Sequence, residues 1–147
     1  MYLIIMAGSG NRILYSLHKN SDAVTRRRIV AAMAEGMREL EPVMDAYGLE
    51  RNPEGVARAM VLSEDLIGCE PKGNLESVTA DEAVRKVTSC PWASSYPDDG
   101  GACRLVMAAM EEGVGEKYGL EIRCEQTMAE GADHCIWKVR RKTKSGR

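Results

Sequence analysis

No stretch of this 147-residue chain approaches the eighteen or so apolar residues that span a bilayer, so membrane insertion is not expected. The apolar opening, Met1 to Ala7, lacks a basic leader and is shorter than a signal-peptide core. It reads as a strand or a docked arm, and cytoplasmic residence is the expectation. There is no excess of positive charge either. A net charge of −2 argues against general nucleic-acid binding, which needs a basic surface for phosphate contacts. Arg26-Arg27-Arg28 and the run from Lys138 to Arg147 read as a solvated helix face and a tail. The chain contains no phosphate loop, dinucleotide fingerprint, His-Glu-x-x-His or Gly-x-Ser-x-Gly, which disfavours nucleotide chemistry, zincin proteolysis and standard serine hydrolysis. Short Cys-x2-Cys knuckles are missing as well. The spacings Cys-x12-Cys and Cys-x10-Cys do not by themselves announce a structural zinc site. Five cysteines, an odd number, without a secretion signal fit a reducing compartment and no structural disulfide.

What the chain does have is concentrated in its last third. Cys90-Pro91-Trp92, Cys103, Cys124 and Gly131-Ala132-Asp133-His134-Cys135-Ile136-Trp137 gather four of the five cysteines, one of the two histidines and both tryptophans. Thiols and imidazoles bind soft metals or act as nucleophiles, so this cluster is the main functional signal. A thiol that simply packs is the alternative for each cysteine, because free cysteine is among the most buried residue types.

The remainder reads as scaffold. Val30, Met33, Met37, Leu40, Met44 and Tyr47 recur at intervals of three and four, which predicts a helix over 23–47 capped by Asp22 and ended at Gly48, with a kink or break from Pro42. The stripe suits packing on the domain's own core, and a homodimer seam is the other use of such a face. Asn52-Pro53-Glu54 opens a second helix over 53–67. Residues 75–90 read as two short strands turning near Asp81, although Thr79-x-x-Glu82 imitates a capping box. Residues 94–101 are loop-like and would serve as a lid. A third helix over 102–118 places Cys103 inward in its first turn, where unpaired amides would lower its pKa. Leu120, Ile122 and Cys124 alternate with charged residues, as do Cys135, Trp137 and Val139, so a closing hairpin brings Cys124 and Cys135 to one face if the register cooperates.

Convergence of Cys90, Cys103 and Cys135 at a sheet rim is expected, with Trp92, Tyr96 and Trp137 as walls of a ligand pocket. Two chemistries fit these residues. Cys103 or Cys90 could attack a small molecule, with His134 or Asp133 handling protons; alternatively Cys90, Cys103 and Cys135 could hold a soft ion, zinc or iron.

The Cys90-Pro91 pair, Cys103 and Gly131-Ala132-Asp133-His134-Cys135 resemble the L-2-amino-thiazoline-4-carboxylic acid hydrolase-like family and its distant relatives, the 4-vinyl reductase-type ligand-binding domains. The resemblance covers roughly residues 23–141, leaving 1–22 as an N-terminal arm and 142–147 as a disordered basic tail. It implies a single α+β domain in which helices cover one side of an antiparallel sheet and enclose a small molecule. It also implies either hydrolysis of a small heterocyclic or amide-like substrate, or a non-catalytic sensory module. In the sensory relatives a Glu-x2-Cys and a later Gly-Asp-x-x-Cys hold zinc. Glu121-x2-Cys124 and Cys135 stand in the corresponding places here, with a longer gap and with Ala132 between Gly131 and Asp133. On a regular strand Glu121 and Cys124 face opposite sides, so sharing an ion would require a bulge.

Overall fold

The computed structural model describes residues 13, 15–38, 40–67, 73–90 and 100–142. Helix α1 (Ala23–Met37) starts where Asp22 accepts a 2.7 Å hydrogen bond from the Thr25 amide. The long helix expected over 23–47 is divided. It breaks at Arg38 and resumes as α2 (Leu40–Ala46), ending before Gly48 at φ 62°. Pro42 therefore lies in the first turn of a new helix, where its missing amide costs nothing. Met44 is buried, Met37 and Leu40 pack against the core, and Tyr47 is exposed, so most of the stripe serves the chain's own interior.

Helix α3 (Pro53–Ile67) opens with Asn52 accepting from the Gly55 amide at 2.8 Å. It lays Val56, Ala57, Ala59 and Met60 onto the sheet. Strands β1 (Gly73–Val78) and β2 (Glu82–Val87) follow as a hairpin. The hydroxyl of Thr79 does accept from the Glu82 amide, at 3.0 Å, but it closes a strand turn here instead of starting a helix. Helix α4 (Gly101–Met110) runs into a π-helical turn (Glu111–Gly115) and then α5 (Glu116–Tyr118). The π turn sits where α1 crosses. Gly113 lies so close to Ala34 that a Cβ would collide with its carbonyl oxygen.

Strands β3 (Leu120–Gln126) and β4 (Cys135–Arg141) complete an antiparallel sheet of order β1-β2-β4-β3. The fold is α+β, as expected, with helices on one face. The inward face carries Ala83, Arg85, Val87, Leu120, Ile122, Cys135 and Val139, all buried. The outward face carries ion pairs such as Lys138–Glu125 at 2.9 Å and Arg140–Glu121. Among the described residues no helix is long and apolar enough to cross a membrane.

The described residues at the two ends of the chain are ordered. Residues 15–20, read as arm, are helical, and the His18 ring fills the space beside Gly101 at the start of α4. At the other end Lys142, assigned to the tail, pairs with Glu111 at 2.8 Å and donates its amide to the Gly119 carbonyl at 3.0 Å. Residues 143–147 lie outside the described residues.

Candidate functional site: a thiol cluster at the β3–β4 hairpin

The hairpin register decides which thiols meet. Cys124 stands opposite Trp137, while Cys135 stands opposite Val87 on the other side of β4. A bulge between Cys124 and Gln126 then tightens the strand before the turn. Cys124 and Cys135 consequently share the inward face, near enough for each to shift the other's ionisation. Helix α4 is fastened to the same turn. Arg104 hydrogen-bonds Glu130, and Gly100 leaves room for the Glu130 side chain, so Cys103 in the first turn of α4 is held over the hairpin. Thr127, almost fully buried, lies within side-chain hydrogen-bond reach of both Cys103 and Cys135.

The electrostatics separate these thiols. The Cys124 hydrogen bond, the Met128 amide at 3.2 Å, the positive charge of Arg85 and the Thr127 hydroxyl bring Cys135 down to about 6, against a burial effect in the other direction. Cys124 is pushed up, because its proton is shared toward Cys135 and because burial and the neighbouring thiols oppose a second negative charge. That single proton has two acceptors, the Cys135 sulfur and the Gln126 carbonyl at 2.9 Å. The pair thus carries one charge, centred on Cys135.

Cys103 behaves opposite to expectation. Burial, followed by the nearby Cys90 and Cys135, pushes it up to about 11, and this outweighs any help from the helix start. At neutral pH it is a protonated thiol and a poor nucleophile.

The other expected residues divide clearly. Cys90 is half-buried and close enough to Cys103 to raise its pKa. Cys90 and Cys135 both lie near enough to Cys103 to oppose its ionisation. Trp137 packs against the core opposite Arg85 and Cys124. Asp133 is exposed, and His134 is tied to the thiol side only through its carbonyl, which accepts from Gln126 at 3.1 Å. Neither side chain bonds a thiol among the described residues. Trp92 and Tyr96 lie outside the described residues, as do residues 94–99 of the expected lid over 94–101, whose last residues, Gly100 and Gly101, form the start of α4. As for an ion, no three His, Cys, Asp or Glu side chains among the described residues are grouped closely enough to hold one. Glu121 is turned to the outward face and pairs with Arg140 and Arg123, because the bulge comes after Cys124 and leaves the two on opposite sides.

Three contributors escaped sequence reasoning. Arg85 is 2% exposed and sits at the centre of the inward face. A Cβ on Gly73 would lie 2.7 Å from its guanidinium, so the neighbouring strand makes way for it. Its signal was available, since neither phase of 82–87 is apolar throughout. Thr127 and Met128 had no such signal, because their roles depend on the turn geometry.

A groove of about 300 Å³ adjoins the cluster, lined by Met107, Ala108 and Glu111 from α4 and the π turn and by residues 121–124 of the edge strand β3, with Cys124 on its wall. The Ile122 amide, which would otherwise face outward from the edge strand, donates to the Glu111 carboxylate. In fold, the chain is similar to a trafficking protein particle complex subunit. The likeness is to the crystal structure of subunit 3 from Naegleria fowleri covalently bound to palmitic acid, at TM-score 0.59 and 14% identity, covering 94% of this chain and 93% of that one. No protein-family model and no curated protein matches this chain.

Proposed function

We propose that this chain is a small-molecule-binding domain whose ligand lies in the groove between α4 and β3, with the Cys124–Cys135 pair as its reactive end. The carrying observation is that Cys124, on the groove wall, shares the inward face of the hairpin with Cys135, whose sulfur accepts the Met128 amide at 3.2 Å and whose ionisation its surroundings favour. A thiolate can add to an electrophilic carbon while a neighbouring S–H protonates the ring or amide heteroatom whose bond to that carbon breaks, and water then hydrolyses the thioester, which is how a small heterocyclic or amide-like substrate would be opened. This agrees with the resemblance to the thiazoline-carboxylate hydrolase-like family and shifts the nucleophile from Cys103 or Cys90 to Cys135. The palmitic acid of the Naegleria protein belongs to that protein; it supports the reading only in that a similar fold there carries a covalently held small molecule.

Calorimetry with 2-amino-thiazoline-4-carboxylate, with NMR on the same samples, tests the proposal. Saturable binding and ring opening are expected in the intact chain. Ala108→Trp, placed at an exposed position on the groove wall, should abolish binding, whereas Cys135→Ser should retain binding and lose turnover. Failure to bind, or binding untouched by Ala108→Trp, refutes the groove.

The second reading, a non-catalytic module in which Cys90, Cys103 and Cys135 close on a metal, would need those thiols to move together, since among the described residues no three such ligands are grouped for an ion. Stoichiometric zinc or iron in protein purified without a histidine tag would select it.

A further inference from the structure

The Cys124–Cys135 pair is built for chemistry between its own sulfurs, whatever ligand the groove takes. Both side chains are on the inward face of one hairpin, and the pairing register shifts between Cys124 and Gln126. They stand diagonally across the β3–β4 pairing, Cys124 opposite Trp137 and Cys135 two residues before it. The Met128 amide holds one sulfur at 3.2 Å and the Gln126 carbonyl holds the other at 2.9 Å, so each is oriented before any reaction. Cys103 relates differently to this pair. It is carried on α4, and Thr127 lies between it and Cys135 as a common hydrogen-bond partner. The groove reaches the pair at Cys124, which is on its wall, while Cys135 is 8% exposed, so only an oxidant as small as a hydroperoxide suits it.

We propose that Cys124 and Cys135 form a reversible redox pair, oxidised to an intramolecular disulfide by small hydroperoxides. The Cys135 sulfur attacks the terminal peroxide oxygen, the O–O bond breaks, and the alcohol or water leaves after taking up a proton. The sulfur is thereby oxidised to a sulfenic acid and the peroxide reduced. The Cys124 sulfur then attacks that of Cys135. The S–S bond forms, the S–O bond breaks, and the departing hydroxide leaves as water with the proton Cys124 gives up. Two thiols and one hydroperoxide become one disulfide, one alcohol or water, and one further water. A dithiol reductant reverses the change by exchange. Oxidation removes the Cys124 bond to Gln126 and draws its sulfur toward Cys135, so the groove loses one thiol from its wall.

The sequence makes the test direct. Tryptic cleavage after Arg123 and Lys138 releases one fragment that holds Cys124 and Cys135 and no other cysteine. After the full chain is treated with hydrogen peroxide and its remaining thiols are alkylated, that fragment should be unalkylated and lighter by two hydrogens. A second cut after Glu125 or Glu130 should leave its pieces joined until they are reduced. In Cys124→Ser, dimedone should capture a sulfenic acid at Cys135. A fragment alkylated at both cysteines after peroxide, or a bridge from Cys69, Cys90 or Cys103 to Cys135, overturns the proposal. The wild-type map decides the matter even if the variant fails to fold.

Discussion

Replacing Cys124 with alanine removes the largest contribution to the lowered pKa of Cys135, its S–H hydrogen bond, while leaving the Met128 amide, Arg85 and Thr127 in place. With Cys135 at about 6, roughly nine-tenths of it is thiolate at pH 7. If the variant returns it to an ordinary thiol value of about 8.5, only roughly 3% is ionised at that pH. The obvious assay, alkylation rate, would conceal most of this change. Thiolate nucleophilicity rises with pKa with a slope of about 0.4–0.5, so a rise of roughly 2.5 units makes the remaining thiolate about tenfold more reactive and offsets much of the loss. Direct titration of thiolate absorbance in the ultraviolet avoids the compensation. The wild type should show one thiol ionising near 6, and Cys124→Ala should move that step up by about two units. A wild type with no thiolate below pH 8, or a step near 6 that survives in Cys124→Ala, would show that the shared proton is not what ionises Cys135.

Stability should follow the same groups. The unfolded chain holds the Cys135 proton up to about 9 while the folded chain releases it near 6, so stability rises with pH across that interval and is lost as pH falls through 6. Cys103 has the opposite sign: the folded chain keeps its proton to about 11, so stability declines above about 9. Urea denaturation at a series of pH values should therefore show a maximum near 9, and Cys135→Ala should flatten the rising limb. Two helical glycines should respond to alanine with opposite signs. Gly36, with open space around its Cβ position, should gain about 0.5 kcal/mol from helix propensity. At Gly113 the collision with the Ala34 carbonyl should cost about 1–3 kcal/mol, beyond a propensity gain of at most about 1 kcal/mol. At about 2–4 °C of Tm per kcal/mol, thermal melts resolve both, and equal responses would mean that α1 is not packed against the π turn.

Much of the scaffold was legible from local chemistry. Asp22, Asn52, Gly48 and Gly119 mark helix ends because caps and left-handed residues act within a few positions of themselves. The strands of the last third followed from alternation, and Cys124 and Cys135 were placed on one face by it. Boundaries set by contact with distant segments were not legible. The helix break at Arg38 and the π turn at Glu111–Gly115 coincide with the region where α1 packs on the far half of the chain. The candidate site divides in the same way. By itself the sequence determined that thiols are concentrated between Cys90 and Cys135, and that the closing hairpin presents two of them together. Only the tertiary structure decided which thiol is charged. The helix start promised a thiolate at Cys103, but a pKa answers to everything within a few ångströms, and burial beside two other thiols prevails there. The charge settles on Cys135 because Cys124 from the facing strand, the Met128 turn amide and Arg85 from another strand all act on its sulfur, an arrangement that exists only once the chain has folded.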